Sequence, residues 1–316
     1  MKWGRVKLVV IAILLLACML LGWNIWSLTY SRRYINEEML SDVRAILAAD
    51  EIHLADGAVP AERFRADVFV GATVEDYYQY VYNALSGDPI YRTYTTPDGL
   101  MIFTDGGDRY HISGNFGFAY YAAGFLTVNL PKYGELSMHR LTEDQREELL
   151  SSVREFLKMD ALLPSGMAER YELVLTGARI TSDQQGYYVS VHLTMDGVPL
   201  VTNEAVLLIR GQRVRAMAGT WTFLSGDRTE AVPIYDQVNI LISEKKNVDA
   251  DRLTGVLTGS VSIERIAPCY CPYVSEESGV VYFVPGWKIT YGDGRVRVYD
   301  GVSNQIYPMD AVIPPS

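Results

Sequence analysis

Hydrophobic positions recur along this chain with three different periods. From Leu8 to Tyr30 there is none at all: 23 residues pass without a charge. As a helix that run measures about 35 Å, enough to cross a hydrocarbon core with some tilt. A cleavable signal has a shorter apolar region of roughly 7–15 residues and a small-residue cleavage site after it. No Ala-x-Ala follows here. Leu15-Leu16-Ala17-Cys18 is similar to a weak lipobox, yet seven of the next eight residues are apolar or Gly. A lipidated terminus gains nothing from more buried chain, so the pattern predicts a permanent anchor. Trp3, Trp23, Trp26 and Tyr30 sit near its ends, where amphipathic rings favour the interface. Lys2, Arg5 and Lys7 precede it and only Arg32 and Arg33 follow closely, a bias toward an inside amino end. The expected layout is a cytoplasmic stub over 1–7, a transmembrane helix over 8–30, and an extracytoplasmic remainder.

Steps of three and four mark the helices. Ile35, Met39, Val43, Ile46 and Leu47 predict one over Arg33–Ala49, with no Gly or Pro after Trp23 to separate it from the span. Thr73 is placed to cap a second, holding Tyr77, Tyr80, Val81, Ala84 and Leu85 on one face. Thr142 and Gln145 fit a capping box ahead of Leu149, Leu150, Val153, Phe156 and Leu157. A shorter helix is expected over about 236–246, carrying Val238, Leu241 and Ile242.

Alternation marks the strands. "EIHLADGAVP" and "ADVFVG" read as short strands, and "IYRTYTT", "GLMIFTD" and "DRYHISG" as a meander turning at Pro97-Asp98-Gly99 and Asp105-Gly106-Gly107. Four more follow the capping box, and Tyr187-x-Val189-x-Val191-x-Leu193 puts one face on a core. The last strands are "VSIERIAPCYCPY", "GVVYFVPGWKITYG" and "GRVRVYDGVSNQIY". Helix then antiparallel meander thus recurs without an exact period. The expected fold class is α+β: a transmembrane helix followed by tandem units, each a helix packed on a small curved meander. One extracytoplasmic unit is placed at 31–135 and a second region of two helix-meander units at 136–316, with 134–141 as linker.

Charge narrows the partners. The chain carries −10; of its 28 basic residues five lie at or before Arg33, leaving 23 against 38 acidic residues, or −15, beyond the span. Such a surface disfavours nucleic acid and anionic polymers. Three cysteines do not make a disulfide scaffold. Cys269 and Cys271 form a lone Cys-x-Cys, a candidate disulfide or redox pair, with a local staple in a hairpin turn or two free thiols favoured over a switch.

Catalytic signals are sparse. His53, His111, His139 and His192 are scattered with no His-Glu-x-x-His pair, and no Gly-x-Ser-x-Gly elbow occurs. Asn247-x-Asp249-x-Asp251 has calcium-loop spacing, but Arg252 stands where Gly is needed and Thr258 where a bidentate Glu is needed. No cofactor, metal or catalytic residue is assigned. Trp287 is expected to fill a core, with Pro285 and Gly286 bending an edge strand.

On "KWGRVKLVVIAILLL" and on "IYDQVNILISEKK … SIERIAPCYCPY … VVYFVPGWKITYGDGRVRVYDGVSNQIY" the chain resembles the YycI family of membrane-anchored two-component regulators. "GYYVSVHLTMDGVPLVTNEAVLLI" resembles the preceding meander, and the layout is similar to PepSY-type modules. The Cys pair departs from that pattern, and residues 60–136 match nothing specific. The resemblance implies a non-enzymatic regulator of a sensor histidine kinase controlling envelope metabolism, partnered by a YycH-like single-pass protein. Lipid would be met through 8–30, and protein through Trp23, Trp26, Ile35, Met39 and Val43. Tyr78 and Tyr82 join these because the 77–82 tyrosine cluster holds more aromatic surface than one helix face buries. Two other expectations compete: a PepSY-like ligand-binding or protease-inhibiting module, marked by a deep apolar pocket, and an envelope hydrolase, marked by clustered perturbed acids or histidines.

Overall fold

The computed structural model describes residues 18–21, 34–64, 67–73, 89–97, 99–113, 116–137, 141–158, 170–222, 224–275 and 277–308. In chain order the first elements are α1 (Glu37–Ala49), β1 (Ile52–Leu54), β2 (Asp67–Thr73), β3 (Ile90–Thr96), β4 (Gly99–Thr104), β5 (Arg109–Ser113) and β6 (Gly117–Tyr121). Then come α2 (Glu143–Phe156), β7 (Tyr171–Ile180), β8 (Tyr187–Met195), β9 (Val198–Arg210), β10 (Arg213–Thr220) and β11 (Leu224–Ala231). The chain continues with α3 (Gln237–Leu253), β12 (Val261–Val274), β13 (Val280–Tyr291) and β14 (Val296–Asp300).

Most strands fall where alternation placed them, but β6 and β11 were not foreseen, and neither was the assembly. Instead of tandem small sheets, the fourteen strands among the described residues belong to one mixed sheet. Its largest antiparallel stretch runs β7-β8-β9-β10-β6-β5-β4-β3. The join is β6 to β10, with Tyr121 opposite Ala216 and Gly117 opposite Thr220. The expected fold class is therefore corrected. The first meander cannot close a core by itself, because its apolar face (Ile102, Tyr110, Ile112, Phe118, Tyr120) needs α2 and the later strands to cover it.

The membrane expectation is corrected with it. Among the described residues no helix is long and apolar enough to cross a membrane. A span needs about 20 predominantly apolar residues; the longest described helix, α3, has 17 and includes Glu244, Lys245 and Lys246. The span over 8–30 lies outside the described residues except for Cys18–Leu21, which are helical and exposed. Nor does α1 run on from upstream: Asn36, in extended backbone, caps it by accepting the Glu38 N–H at 3.0 Å. The helix expected after Thr73 lies outside the described residues.

By compactness the chain divides into two interleaved units. The smaller comprises residues 1–64, 235–267 and 289–296. In it α1 and α3 pack together and β1 pairs in parallel with the start of β12, Ile52 opposite Val261. The fully buried Gln237 amide donates to the Pro60 and Glu62 carbonyls, and Tyr291 donates its hydroxyl to the buried Glu244. α3 reaches Leu253, past the expected end, and so absorbs the calcium-like Asn247–Asp251 run into helix.

The larger unit comprises 65–234, 268–288 and 297–316. Here α2 lies on the long sheet. Thr142 and Gln145 form the capping box, at 3.2 Å and 3.0 Å, and the helix sinks Leu149, Leu150 and Val153, with Leu157 just beyond it, against Leu173, Val189, Leu207 and Trp221. Burying those four aliphatic side chains contributes roughly 6–12 kcal/mol in transfer terms. Trp287 is fully buried, as expected, but β13 has β2 on one side and β12 on the other, so Pro285 does not mark an edge.

Candidate functional site

Cys269 and Cys271 lie in the middle of β12, not in a turn. Two residues apart on a strand, they share one face with Cα atoms about 6.6 Å apart, near the upper limit for a bridge. Both are free thiols and fully buried, packed with Val201, Val298, Tyr307 and the half-buried Tyr273. The backbone of β13 is pressed so close that a Cβ on Gly286 would come within 2.9 Å of the Cys271 Sγ. Burial, reinforced by the neighbouring Cys269, pushes the Cys271 thiol well above its ordinary range. Such a thiol stays protonated and is a poor nucleophile. Beside the pair, Asp300 is saturated: it accepts from the Val302 and Ser303 amides, the Ser303 hydroxyl and the Tyr273 hydroxyl.

A second cluster stands on the face of the long sheet turned away from α2. His192 (β8) is opposite Glu204 (β9). The His192 Nδ1 lies 3.3 Å from the Tyr133 hydroxyl, and Lys288 (β13) reaches the Glu204 Oε1 at 3.4 Å. Burial, followed by the Lys288 charge, lowers the His192 imidazole from 6.5 to about 4, leaving it neutral at pH 7. Burial also raises Glu204, against the opposing pull of Lys288, and raises Tyr133, with the Glu204 carboxylate adding to it. Sequence spacing gave no sign of this group beyond the scattered His192. Its members come from a loop and three strands.

A third feature is an open cleft of about 520 Å³ in the larger unit. Its walls are Gln145 and Glu148 of α2, Gln184, Gln185 and Tyr187 at the β7–β8 turn, and Gln212 at the β9–β10 turn. Buried Leu149 and Ile209 close its floor. The lining mixes polar and apolar surface in nearly equal parts. Gln145 stood out in the sequence only as part of a capping box, and Gln184, Gln185 and Gln212 did not stand out, because exposed turn residues have no period to betray them.

The fourth is the sheet edge at β3. It ends the strand order and pairs with β4 only, so its outer side carries no strand among the described residues. Arg92, Thr93, Tyr94 and Thr95 are all exposed. The Arg92 guanidinium sits 4.1 Å over the Tyr94 ring, which meets Phe103 edge-on at 5.8 Å.

Of the seven residues expected to touch partners, Ile35, Met39 and Val43 are described. Ile35 and Val43 are buried in the smaller unit, Val43 beside Leu47 on the buried face of α1 and Ile35 just ahead of the helix cap. Met39 is exposed. Trp23, Trp26, Tyr78 and Tyr82 lie outside the described residues. Among the described residues no three His, Cys, Asp or Glu side chains converge as metal ligands.

No family model and no curated protein matches the chain. A solved structure, that of an uncharacterized protein from Eubacterium rectale ATCC 33656, is similar at 14% identity and a TM-score of 0.46, covering 82% of this chain and 91% of that one.

Proposed function

We propose that this protein is a non-catalytic regulator that works by gripping another protein, its target being a sensor histidine kinase met outside the cytoplasm. The kinase is what the YycI-like layout of the carboxyl-terminal strands implies. The observation that carries the contact reading is the open edge at β3. An unpaired edge presents a row of backbone donors and acceptors to an incoming extended segment. Arg92, held over Tyr94, favours a segment with an acidic side chain at that register. The half-buried His192 and Glu204 support the same reading, since both are engaged with neighbours in the fold.

A photo-crosslinking residue at Thr95, in the full chain expressed in its native host, provides the test. Recovery of peptides from a histidine kinase's sensing region is expected, with the yield reduced about tenfold by Arg92→Glu. Recovery of no kinase, or a yield indifferent to Arg92, would overturn the proposal.

A further inference from the structure

The cleft beside α2 is held by its turns. Gln184 and Gln212, on opposite rims, both adopt left-handed backbone, with φ of 57° and 60°. Glycine or asparagine takes that conformation with little strain, whereas glutamine does not. The same conformation occurs at five other described non-glycine residues, and at Gly211-Gln212 the two-residue hairpin loop itself requires it, so it fixes the turns that rim the cleft.

The turn bearing Gln184 is also pinned before any ligand arrives. The Gly186 N–H donates to the Thr181 Oγ1 at 3.1 Å, and that hydroxyl donates to the Asp183 Oδ1 at 2.6 Å. Asp183 in turn holds Arg210 at 2.7 Å. Gly186 has no room for a side chain, since a Cβ there would fall 2.3 Å from the Ile209 carbonyl oxygen.

The lining chemistry then selects a ligand. Gln184 and Gln185 are exposed, and among the described residues their amides make no side-chain hydrogen bond, so each offers two donors and an acceptor. Gln145 gives its carbonyl to the Thr142 N–H and keeps its amide protons for the cleft. Gln212 donates to the Glu148 Oε1 at 2.7 Å, which leaves that carboxylate's other oxygen as an acceptor. Among the described residues no Lys or Arg lines the cleft, and the nearby Arg210 is held by Asp183 at 2.7 Å. Apolar surface from Leu149, Ile209 and the half-buried Tyr187 ring makes up about as much of the lining as polar surface. Many neutral donors and acceptors around one aromatic face match vicinal hydroxyls on a ring with an apolar C–H side. The volume lies within the range of about 300–1,000 Å³ usual for small-ligand sites.

We infer that this cleft binds a neutral saccharide of one or two rings, its hydroxyls gripped by the Gln184, Gln185 and Gln212 amides and Glu148, its C–H face on Tyr187. The inference stands apart from the β3 edge and survives if that reading fails.

Calorimetry and amide-shift mapping on the full chain test it, using maltose, lactose and N,N′-diacetylchitobiose, with digalacturonate and tetra-alanine as comparators. At least one neutral disaccharide binds with Kd of about 1 mM or tighter, and Gln212→Ala and Tyr187→Ala weaken it about tenfold or more. Gln184→Gly removes the amide while relieving the backbone, so its Tm stays within about 2 °C of the parent or rises while affinity falls. Absence of binding by all three sugars at about 20 mM overturns the inference. So does equal binding by digalacturonate or tetra-alanine, or affinity unchanged in Gln184→Gly.

Discussion

At the scale of single residues, pH dependence has a definite sign. His192 has a folded pKa near 4, below its ordinary 6.5, so the unfolded chain takes up a proton that the folded chain refuses. Stability from keeping this ring neutral is therefore complete above pH 6.5 and is lost as pH falls from about 6.5 to about 4. Glu204 acts in the opposite sense. Its raised pKa means the unfolded chain ionises first, so its contribution declines as pH rises past 4.5. His192→Gln keeps an acceptor for Tyr133 and removes the titration. In urea unfolding, the gap in stability between pH 7 and pH 4.5 should narrow in this variant; an unchanged gap would mean another group sets the acid limb. The candidate residues show why single positions were hard to read. Cys269 and Cys271 were visible as a pair, yet only the packing against Gly286 and Val201 makes them inert. His192 was visible as a histidine, but its partner Tyr133 lies 59 residues away.

At the scale of elements, local chemistry was a good guide. The Thr142–Gln145 capping box was written in the sequence and is formed. Thr142→Ala leaves the Gln145 N–H without its acceptor and should cost about 1 kcal/mol, seen as a fall in Tm of about 2–4 °C. An unaltered melting curve would show that α2 is held by its buried face alone. The strands of residues 90–113 and 171–220 fell close to the alternation that predicted them, because period 2 is imposed by one covered face. Where the elements were misjudged, a longer-range force decided. α3 extends to Leu253 because Val248 is buried in the smaller unit and Arg252 bonds the Asp50 and Gly259 carbonyls. α1 begins at Glu37 because Asn36 caps it, which the apolar stripe by itself does not disclose.

At the scale of the whole molecule, the long sheet makes distant segments share one core. Ile112 in β5 belongs to the same buried cluster as Leu149 in α2 and Val191 in β8. Ile112→Ala should therefore cost about 2–5 kcal/mol and speed hydrogen exchange in β8 as well as in β4–β6. Faster exchange confined to residues 90–121 would mean that this meander opens as a unit of its own. The sequence by itself determined the periods, the caps, the turns and the acidic surface, because each depends on residues within a few positions of one another. Only the tertiary structure decided that β6 pairs with β10, that the cysteines are sealed, and which glutamines face a cleft. Those outcomes follow from which apolar faces must cover one another once the whole chain competes for burial, and neighbouring residues carry no record of that competition.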